Sequence, residues 1–275
     1  MPELPEVEIV TKGLKRVIVN KKITNVKLFR NKLRIDINDS FIGDALYAKI
    51  IDVRRRSKYI IIDLSNDKSM LIHLGMTGRL TIEKNLDESD LKKHSHILIS
   101  LTEGLSLVYN DVRRFGLAIT MDTGEIDNHK FIRSIGIEPL GSEFDGNCLF
   151  EILKGKKTDI KVALLNQKLV CGIGNIYACE ALFNSGISPV RESNSLTLKE
   201  CNVLSEEIKK VLQESIKAGG STLKDYVQSD GSMGGFQNQF SVYGREGEAC
   251  NVCKNIVKKI KQGGRSTFYC ERCQK

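Results

Sequence analysis

Apolar residues recur at helical spacing at the start of the chain. Val7, Val10 and Leu14, joined by Val17 and Ile18, follow a 3.6-residue repeat, and Pro5 suits a first helical turn. Asn20 and the pair Lys21-Lys22 break the pattern. From there to Met121 the period becomes that of strands. Short, β-branched runs at residues 23–29, 45–54, 59–64, 70–74, 97–101, 105–109 and 117–121 are separated by turn residues. Strands at this spacing predict a sandwich or barrel fronted by a helix. Residues 85–93 are polar and read as a loop. After Met121 the pattern turns helical again, at 149–153, 160–166, 176–184 and 198–217. Ser195 and Thr197 offer caps before the last of these, and Gly219-Gly220 ends it. Residues 229–235 are rich in Gly and Ser and read as a flexible loop. No internal repeat is visible. The shifts in pattern place boundaries near residues 130 and 240, giving segments 1–130, 131–240 and 241–275.

Composition narrows the class. A chain of 275 residues with 41% hydrophobic and 28% charged residues can bury a core and is not a disordered tail. The net charge is +8, and the last 35 residues hold +5 of it, from eight basic and three acidic side chains. A basic end of that kind points to a polyanion, most often nucleic acid. No apolar run reaches the ~18 residues of a membrane span. The first ten residues carry acids and two prolines, unlike a signal peptide. A cytoplasmic, reducing location is the expectation, in which eight cysteines serve as metal ligands or free thiols.

Cys250-x2-Cys253 and Cys270-x2-Cys273 are the strongest signal from spacing alone. Two such knuckles place four thiolates around one tetrahedral Zn²⁺. The stretches 256–260 and 266–269 between them read as a β-hairpin with Gln262-Gly263-Gly264 as its turn. So short a segment cannot bury an adequate core, so the ion would supply folding energy. Four cysteines leave no open position on the metal, so the role is structural. Arg265 stands at the hairpin tip, as a phosphate contact or a solvated charge. Cys148, Cys171, Cys179 and Cys201 fit no metal spacing and read as small buried hydrophobes.

The amino terminus carries a second candidate chemistry. Removal of Met1 would expose Pro2 as a secondary amine. An α-amino group has a pKa of about 8 against about 10.4 for lysine, so more of it is nucleophilic at pH 7. Attack on a sugar aldehyde carbon would give an iminium, an electron sink that favours elimination. Glu3 beside it could move protons. On these residues alone, Met-Pro-Glu reads first as no more than a helix start.

At this point a family resemblance emerges. Met1-Pro2-Glu3-Leu4-Pro5-Glu6-Val7-Glu8 resembles the opening of the formamidopyrimidine-DNA glycosylases, bacterial enzymes that remove oxidised purines. His73-Leu74-Gly75-Met76-Thr77-Gly78, Asn110-Asp111-Val112-Arg113-Arg114-Phe115-Gly116, Gly172-Ile173-Gly174-Asn175-Ile176-Tyr177 and Gly263-Gly264-Arg265-Ser266-Thr267 resemble further blocks of the family, and the cysteine cluster resembles its zinc finger. The resemblance implies an α+β multi-domain fold: an N-terminal helix with a β-sandwich, a helix–two-turn–helix domain, and a zinc-finger hairpin with one structural Zn²⁺.

It also implies roles. Pro2 would attack C1′ of the damaged nucleotide, and Glu3 would protonate the sugar ring oxygen. Lys58 would be the essential lysine beside the lesion phosphate, with Glu3, Lys58 and Arg265 as proton donors. Met76, Arg113 and Phe115 would fill the gap left by the everted base, Arg113 bonding the orphaned cytosine and Phe115 wedging into the stack. His73, Asn175 and Arg265 would bind phosphates. Glu6, Ser221, Thr222 and Tyr226 would recognise the lesion, with residues 221–226 and the Gly-rich loop closing over the base. The substrate would be damaged double-stranded DNA and the enzyme a monomer.

From the residues alone, Gly172-Ile173-Gly174-Asn175 reads as a turn with Asn175 as an N-cap. Met76 and Phe115 taken alone read as core residues, although each sits on a Gly-flanked turn, which favours exposed tips. Val112 stands where the family often has proline. Two alternatives remain: the sister family endonuclease VIII, which prefers oxidised pyrimidines, and a zinc-ribbon DNA-binding regulator without catalysis.

Overall fold

In the computed structural model, residues 2–221 and 228–275 are described. The chain forms two compact units, Met1–Arg133 with Ala218–Gln237, and Ser134–Lys217 with Asn238–Lys275.

In the first unit the helix α1 (Leu4–Ile18) is followed by β1 (Ile23–Leu28), a short α2 (Phe41–Ala45), β2 (Ile50–Arg56), β3 (Tyr59–Leu64), β4 (Lys68–His73), β5 (Gly78–Lys84), β6 (Ser95–Leu101), β7 (Leu105–Asp111) and β8 (Leu117–Asp122). The strands make two four-stranded sheets, β1-β6-β7-β5 and β2-β3-β4-β8. One apolar cluster unites them. It takes Val53, Ile60, Ile62 and Ile72 from one sheet and Val26, Leu80, Ile97 and Leu107 from the other. Val7, Val10, Leu14 and Ile18 of α1 join this cluster with at most 1% exposure. Burying each contributes roughly 2 kcal/mol, so the helix is held mainly by packing. Val17 is 40% exposed and lies off that face.

Two sequence expectations need correction here. The strand expected from residue 45 begins only at Ile50: Phe41 and Ala45 stand four apart on α2 and are both buried, so Ala45 closes a helical turn, residues 46 and 47 form a turn, and Lys49 makes an isolated bridge to Lys22. Gly78–Lys84 is a strand that the pattern did not reveal. It has only Leu80 and Ile82 as apolar residues, and seven pairings to β7 make it a strand.

The second unit holds α3 (Gly146–Leu153), α4 (Ile160–Leu164), α5 (Asn175–Asn184), α6 (Leu198–Lys217) and the hairpin β9 (Lys258–Gln262) and β10 (Arg265–Tyr269). Ile176 to Phe183 of α5 are all buried, as expected of a helix packed on every side. Cys179 and Phe183 of α5 share a cluster with Val242, Val257, Cys250 and Cys270. The hairpin runs two residues later in its first strand than expected, because Gly263 and Gly264, at φ +53° and +76°, form the turn by themselves.

Candidate active site and metal centre

The head of α1 is dry and tightly bonded. Pro2 is buried, and Glu3 and Glu6 are 2% and 1% exposed. Glu3 is the N-cap, and it exchanges hydrogen bonds with Glu6 in a capping box. The Glu3 N–H donates to Glu6 Oε2 at 2.8 Å. Glu6 Oε1 accepts both the N–H and the hydroxyl of Ser221, at 2.9 and 3.0 Å. The Glu6 carboxylate thus ties Glu3 to Ser221, which lies 215 positions beyond Glu6. Thr222 and Tyr226 lie outside the described residues.

Lys58 sits on the two-residue turn between β2 and β3, and it is 8% exposed. Ser57 before it adopts φ +55°. Arg55 holds this turn: its Nη1 donates to the Ser57 carbonyl at 2.8 Å, and its Nε donates to Glu8 Oε2 on α1 at 2.7 Å. Burial pushes the Glu8 carboxyl up, but the hydrogen bond and charge of Arg55, helped by Lys12, outweigh it and hold the carboxyl below its usual range. Neither Glu8 nor Arg55 was legible as a site residue, because their pairing joins positions 47 apart.

His73 ends β4 and pairs with Tyr59 across the strands, with the rings 4.8 Å apart. Its Nδ1 accepts the Gly75 N–H at 2.9 Å. Burial lowers its pKa to about 4, with the charges of Lys58 and Arg34 adding to the shift and Asp111 opposing it. At pH 7 the ring is therefore neutral with its proton on Nε2, a hydrogen-bond donor without a charge.

The Met76 turn, between β4 and β5, is pressed against the turn of Arg113 to Phe115, between β7 and β8. Gly75 has φ +63°, and a Cβ there would stand 2.5 Å from the Phe115 carbonyl carbon and the Gly116 nitrogen. The Arg113 guanidinium stacks over the Phe115 ring at 4.5 Å, and Phe115 is 45% exposed. Met76 is part-buried. An open cleft of about 960 Å³ adjoins these residues, lined by Phe29, Arg30, Lys32, Arg34, Arg113 and Arg114 among others. The Arg34 N–H donates to the Gly116 carbonyl at 3.0 Å. Arg30, Lys32 and Arg34 were not singled out in the sequence. A basic run between two strands reads locally as a solvated loop.

In the second unit Asn175 is the first residue of α5, and Gly174 is the N-cap, which corrects the capping role expected of Asn175. The Asn175 side chain donates instead to the Ser266 carbonyl at 2.8 Å. Lys161, fully buried, donates to Thr267 Oγ1 at 2.8 Å and to the Ser266 carbonyl at 3.2 Å. Gln262 donates to Asp159 and to the Pro189 carbonyl, at 2.8 and 3.1 Å. These bonds dock the hairpin end that carries Arg265, whose own side chain is exposed.

The sulfurs of Cys250, Cys253, Cys270 and Cys273 all lie within 4.8 Å of one another. Cys250 and Cys273 are 3.9 Å apart, and Cys253 and Cys270 are 3.4 Å apart. A tetrahedron with Zn–S bonds of about 2.3 Å has edges of about 3.8 Å, so the set fits one zinc ion. Burial and the three neighbouring sulfurs push the Cys273 thiol up to about 12. A dication removes that cost by holding all four as thiolates. Cys171, Cys179 and Cys201 are buried and are not members of this four-sulfur group, while Cys148 is only part-buried, which corrects the burial expected of it: it lies off the α3 face that buries Leu149 and Leu153.

Three family models match the chain. The N-terminal domain of formamidopyrimidine-DNA glycosylase matches residues 1–118, its H2TH domain matches residues 135–227, and the zinc finger found in FPG and IleRS matches residues 247–275. The formamidopyrimidine-DNA glycosylase of Wolbachia pipientis subsp. Culex pipiens is 47% identical over 275 residues, covering 100% of both chains. That of Ruegeria pomeroyi is 43% identical over 283 residues, with the same full coverage. A Lactococcus lactis FPG variant crystallised with Fapy-dG-containing DNA superposes with a TM-score of 0.91 at 34% identity, covering 99% of each chain. The Lactococcus lactis enzyme with abasic-site DNA gives 0.91 at 33%, again covering 99% of each. Among the described residues, no helix is long and apolar enough to cross a membrane.

Proposed function

The chain belongs to the formamidopyrimidine-DNA glycosylase family, and from that premise we propose that it excises oxidised purines, such as 8-oxoguanine and formamidopyrimidines, from duplex DNA and then cuts the strand. The observation that carries this reading is the head of α1, where Pro2 is buried beside Glu3 and Glu3 is locked by Glu6. With Met1 removed, the Pro2 nitrogen attacks C1′ of the damaged nucleotide. The N–C1′ bond forms and the bond from C1′ to the base breaks, the base leaving with the electron pair and taking up the proton that the Pro2 nitrogen gives up; Glu3 then protonates the ring oxygen as the C1′–O4′ bond opens to an iminium. The resulting iminium acidifies the C2′ hydrogen. Loss of that proton expels the 3′ phosphate, and a second elimination expels the 5′ phosphate. Water then releases Pro2.

The remaining residues prepare the substrate. Chemistry on a stacked base requires its extrusion, at a cost of a few kcal/mol. Met76 and Phe115 offset that cost by filling the gap, and Arg113 offers donors to the orphaned cytosine. Lys58, His73, Asn175 and Arg265 bind backbone phosphates, and Lys58 and Arg265 also supply protons. Glu6 and Ser221 position the lesion loop, which includes Thr222 and Tyr226. The zinc ion, held by four cysteines with no open position, supplies folding energy to the hairpin and takes no part in the chemistry. The enzyme acts as a monomer in the cytoplasm, one active site per chain on an asymmetric substrate.

Borohydride should trap a covalent complex with 8-oxoguanine:C duplex, and protein that retains Met1 should give none. A robust trap with Met1 attached would exclude Pro2 as the nucleophile. Thymine glycol duplex in the same panel separates purine from pyrimidine preference.

A further inference from the structure

Asp111 ends β7 with 0% exposure, and the chemistry above makes no use of its carboxylate. That carboxylate gathers several donors. Oδ1 accepts the Thr77 hydroxyl. Oδ2 accepts the Gly116 N–H at 2.9 Å, and the Tyr109 hydroxyl lies 3.4 Å from it. Thr77 Oγ1 in turn accepts the Arg113 N–H at 3.0 Å. The Asp111 carbonyl is 2.8 Å from His96 Nε2, which fixes the residue's backbone.

The topology explains why such a node matters. The Met76 turn carries the chain from the β2-β3-β4-β8 sheet into the β1-β6-β7-β5 sheet, and the Arg113–Phe115 turn carries it back. Each turn is a corner, anchored in a different pair of strands. Gly75 meets Phe115 and Gly116 backbone to backbone, so no side chain interlocks the turns at that contact. A Cβ on Gly116 would lie 1.7 Å from the Tyr109 hydroxyl and 2.5 Å from the His73 carbonyl, so the fit leaves no room for a side chain there. The Asp111 carboxylate is the hub of the polar cross-link: it bonds Thr77 on one turn and Gly116 on the other, and the Thr77 hydroxyl it holds accepts the Arg113 N–H. An amide in its place would aim an N–H at one of two donors.

We propose that Asp111 is a positioning residue that locks the Met76 turn to the Arg113–Phe115 turn, so that the wedge and the reader of the orphaned base act in one register. This rests on the roles proposed above for Met76, Arg113 and Phe115. Opposite-base selectivity is then set by a buried residue that touches no DNA. Slippage of the reader by about 1 Å can cost on the order of a hundredfold in rate.

The test uses full-length wild type, Asp111→Asn and Thr77→Val on three substrates: 8-oxoguanine opposite C, 8-oxoguanine opposite A, and a single-stranded abasic oligonucleotide with borohydride. The single strand has no partner base, so trapping on it needs no wedge. Asp111→Asn should trap it within about twofold of wild type, yet excise opposite C on the order of ten- to a hundredfold more slowly, with the C-to-A preference narrowed. Thr77→Val should shift the same ratio by less. An unchanged ratio with normal excision overturns the proposal, and so does an equal loss on all three substrates. If Asp111→Asn does not fold, Thr77→Val decides by the same ratio. Failure of the proposed function shows differently, as wild-type protein that neither excises opposite C nor traps.

Discussion

Lowering the pH through the ordinary imidazole range should leave His73 uncharged. Its pKa lies at about 4 rather than 6.5, because burial penalises the cation and the charges of Lys58 and Arg34 repel it. The unfolded chain takes up this proton near pH 6.5, and the folded chain takes it up only near pH 4. Between those values the unfolded state holds more protons, so stability is present in full above pH 6.5 and is lost as the pH falls toward 4. The gap corresponds to about 3 kcal/mol from this one ring. A proton NMR titration of the ring Cε1–H, assigned by its absence in His73→Gln, should give the midpoint. The nitrogen shifts should report a proton on Nε2, since Nδ1 accepts the Gly75 N–H. A neutral donor releases no counterion. His73→Gln should therefore weaken DNA binding without changing the salt slope, whereas Lys58→Gln should lower that slope by about 1. A midpoint above 6, or a slope that changes with His73→Gln, refutes the reasoning.

Three further outcomes follow from the same geometry. Glu8→Gln should destabilise the protein by roughly 1–3 kcal/mol in urea unfolding, because it leaves the Arg55 guanidinium at the Lys58 turn without its carboxylate. A cost below about 0.3 kcal/mol would mean that the pair is solvent-screened. Gly75→Ala should cost more than about 1 kcal/mol, since φ is +63° and the new methyl meets backbone at 2.5 Å. Circular dichroism melting measures it, and an unchanged melting temperature would show that the two turns can part freely. Chelation of zinc, or Cys270→Ser, should remove one metal ion per chain and unfold the hairpin while leaving the sheets of the first unit intact. Atomic absorption and amide hydrogen exchange report the two effects, and a protected hairpin without metal would contradict them.

Local periodicity made much of the fold legible. The stripe of Val7, Val10 and Leu14 declares α1, and residues 198–217 coincide with α6, capped by Thr197, whose hydroxyl oxygen accepts the Glu200 N–H at 3.3 Å. Cysteine spacing declares the metal site because a tetrahedral ion needs two short knuckles and little else. β5 escaped notice because Arg79, Glu83 and Lys84 dilute its alternation, and only pairing with β7 makes it a strand. Asn175 reads as a cap because the turn Gly172-Ile173-Gly174 precedes it and an apolar-periodic helix follows, yet its amide meets Ser266, 91 residues away.

The sequence by itself determined the candidates: four thiols in two knuckles by spacing, and, through the family resemblance, Pro2 and Glu3 at a helix start and the turns bearing Met76, Arg113 and Phe115. Only the tertiary structure decided what holds them in place. Glu6 reaches Ser221, Glu8 reaches Arg55, and Asp111 joins two turns that each cross between the two sheets. The physical reason is that periodicity records which side of an element is buried, and burial is nearly blind to partner. A hydrogen bond needs its partner within about 3 Å, and partners far apart in sequence are brought that close only by the folding of the whole unit.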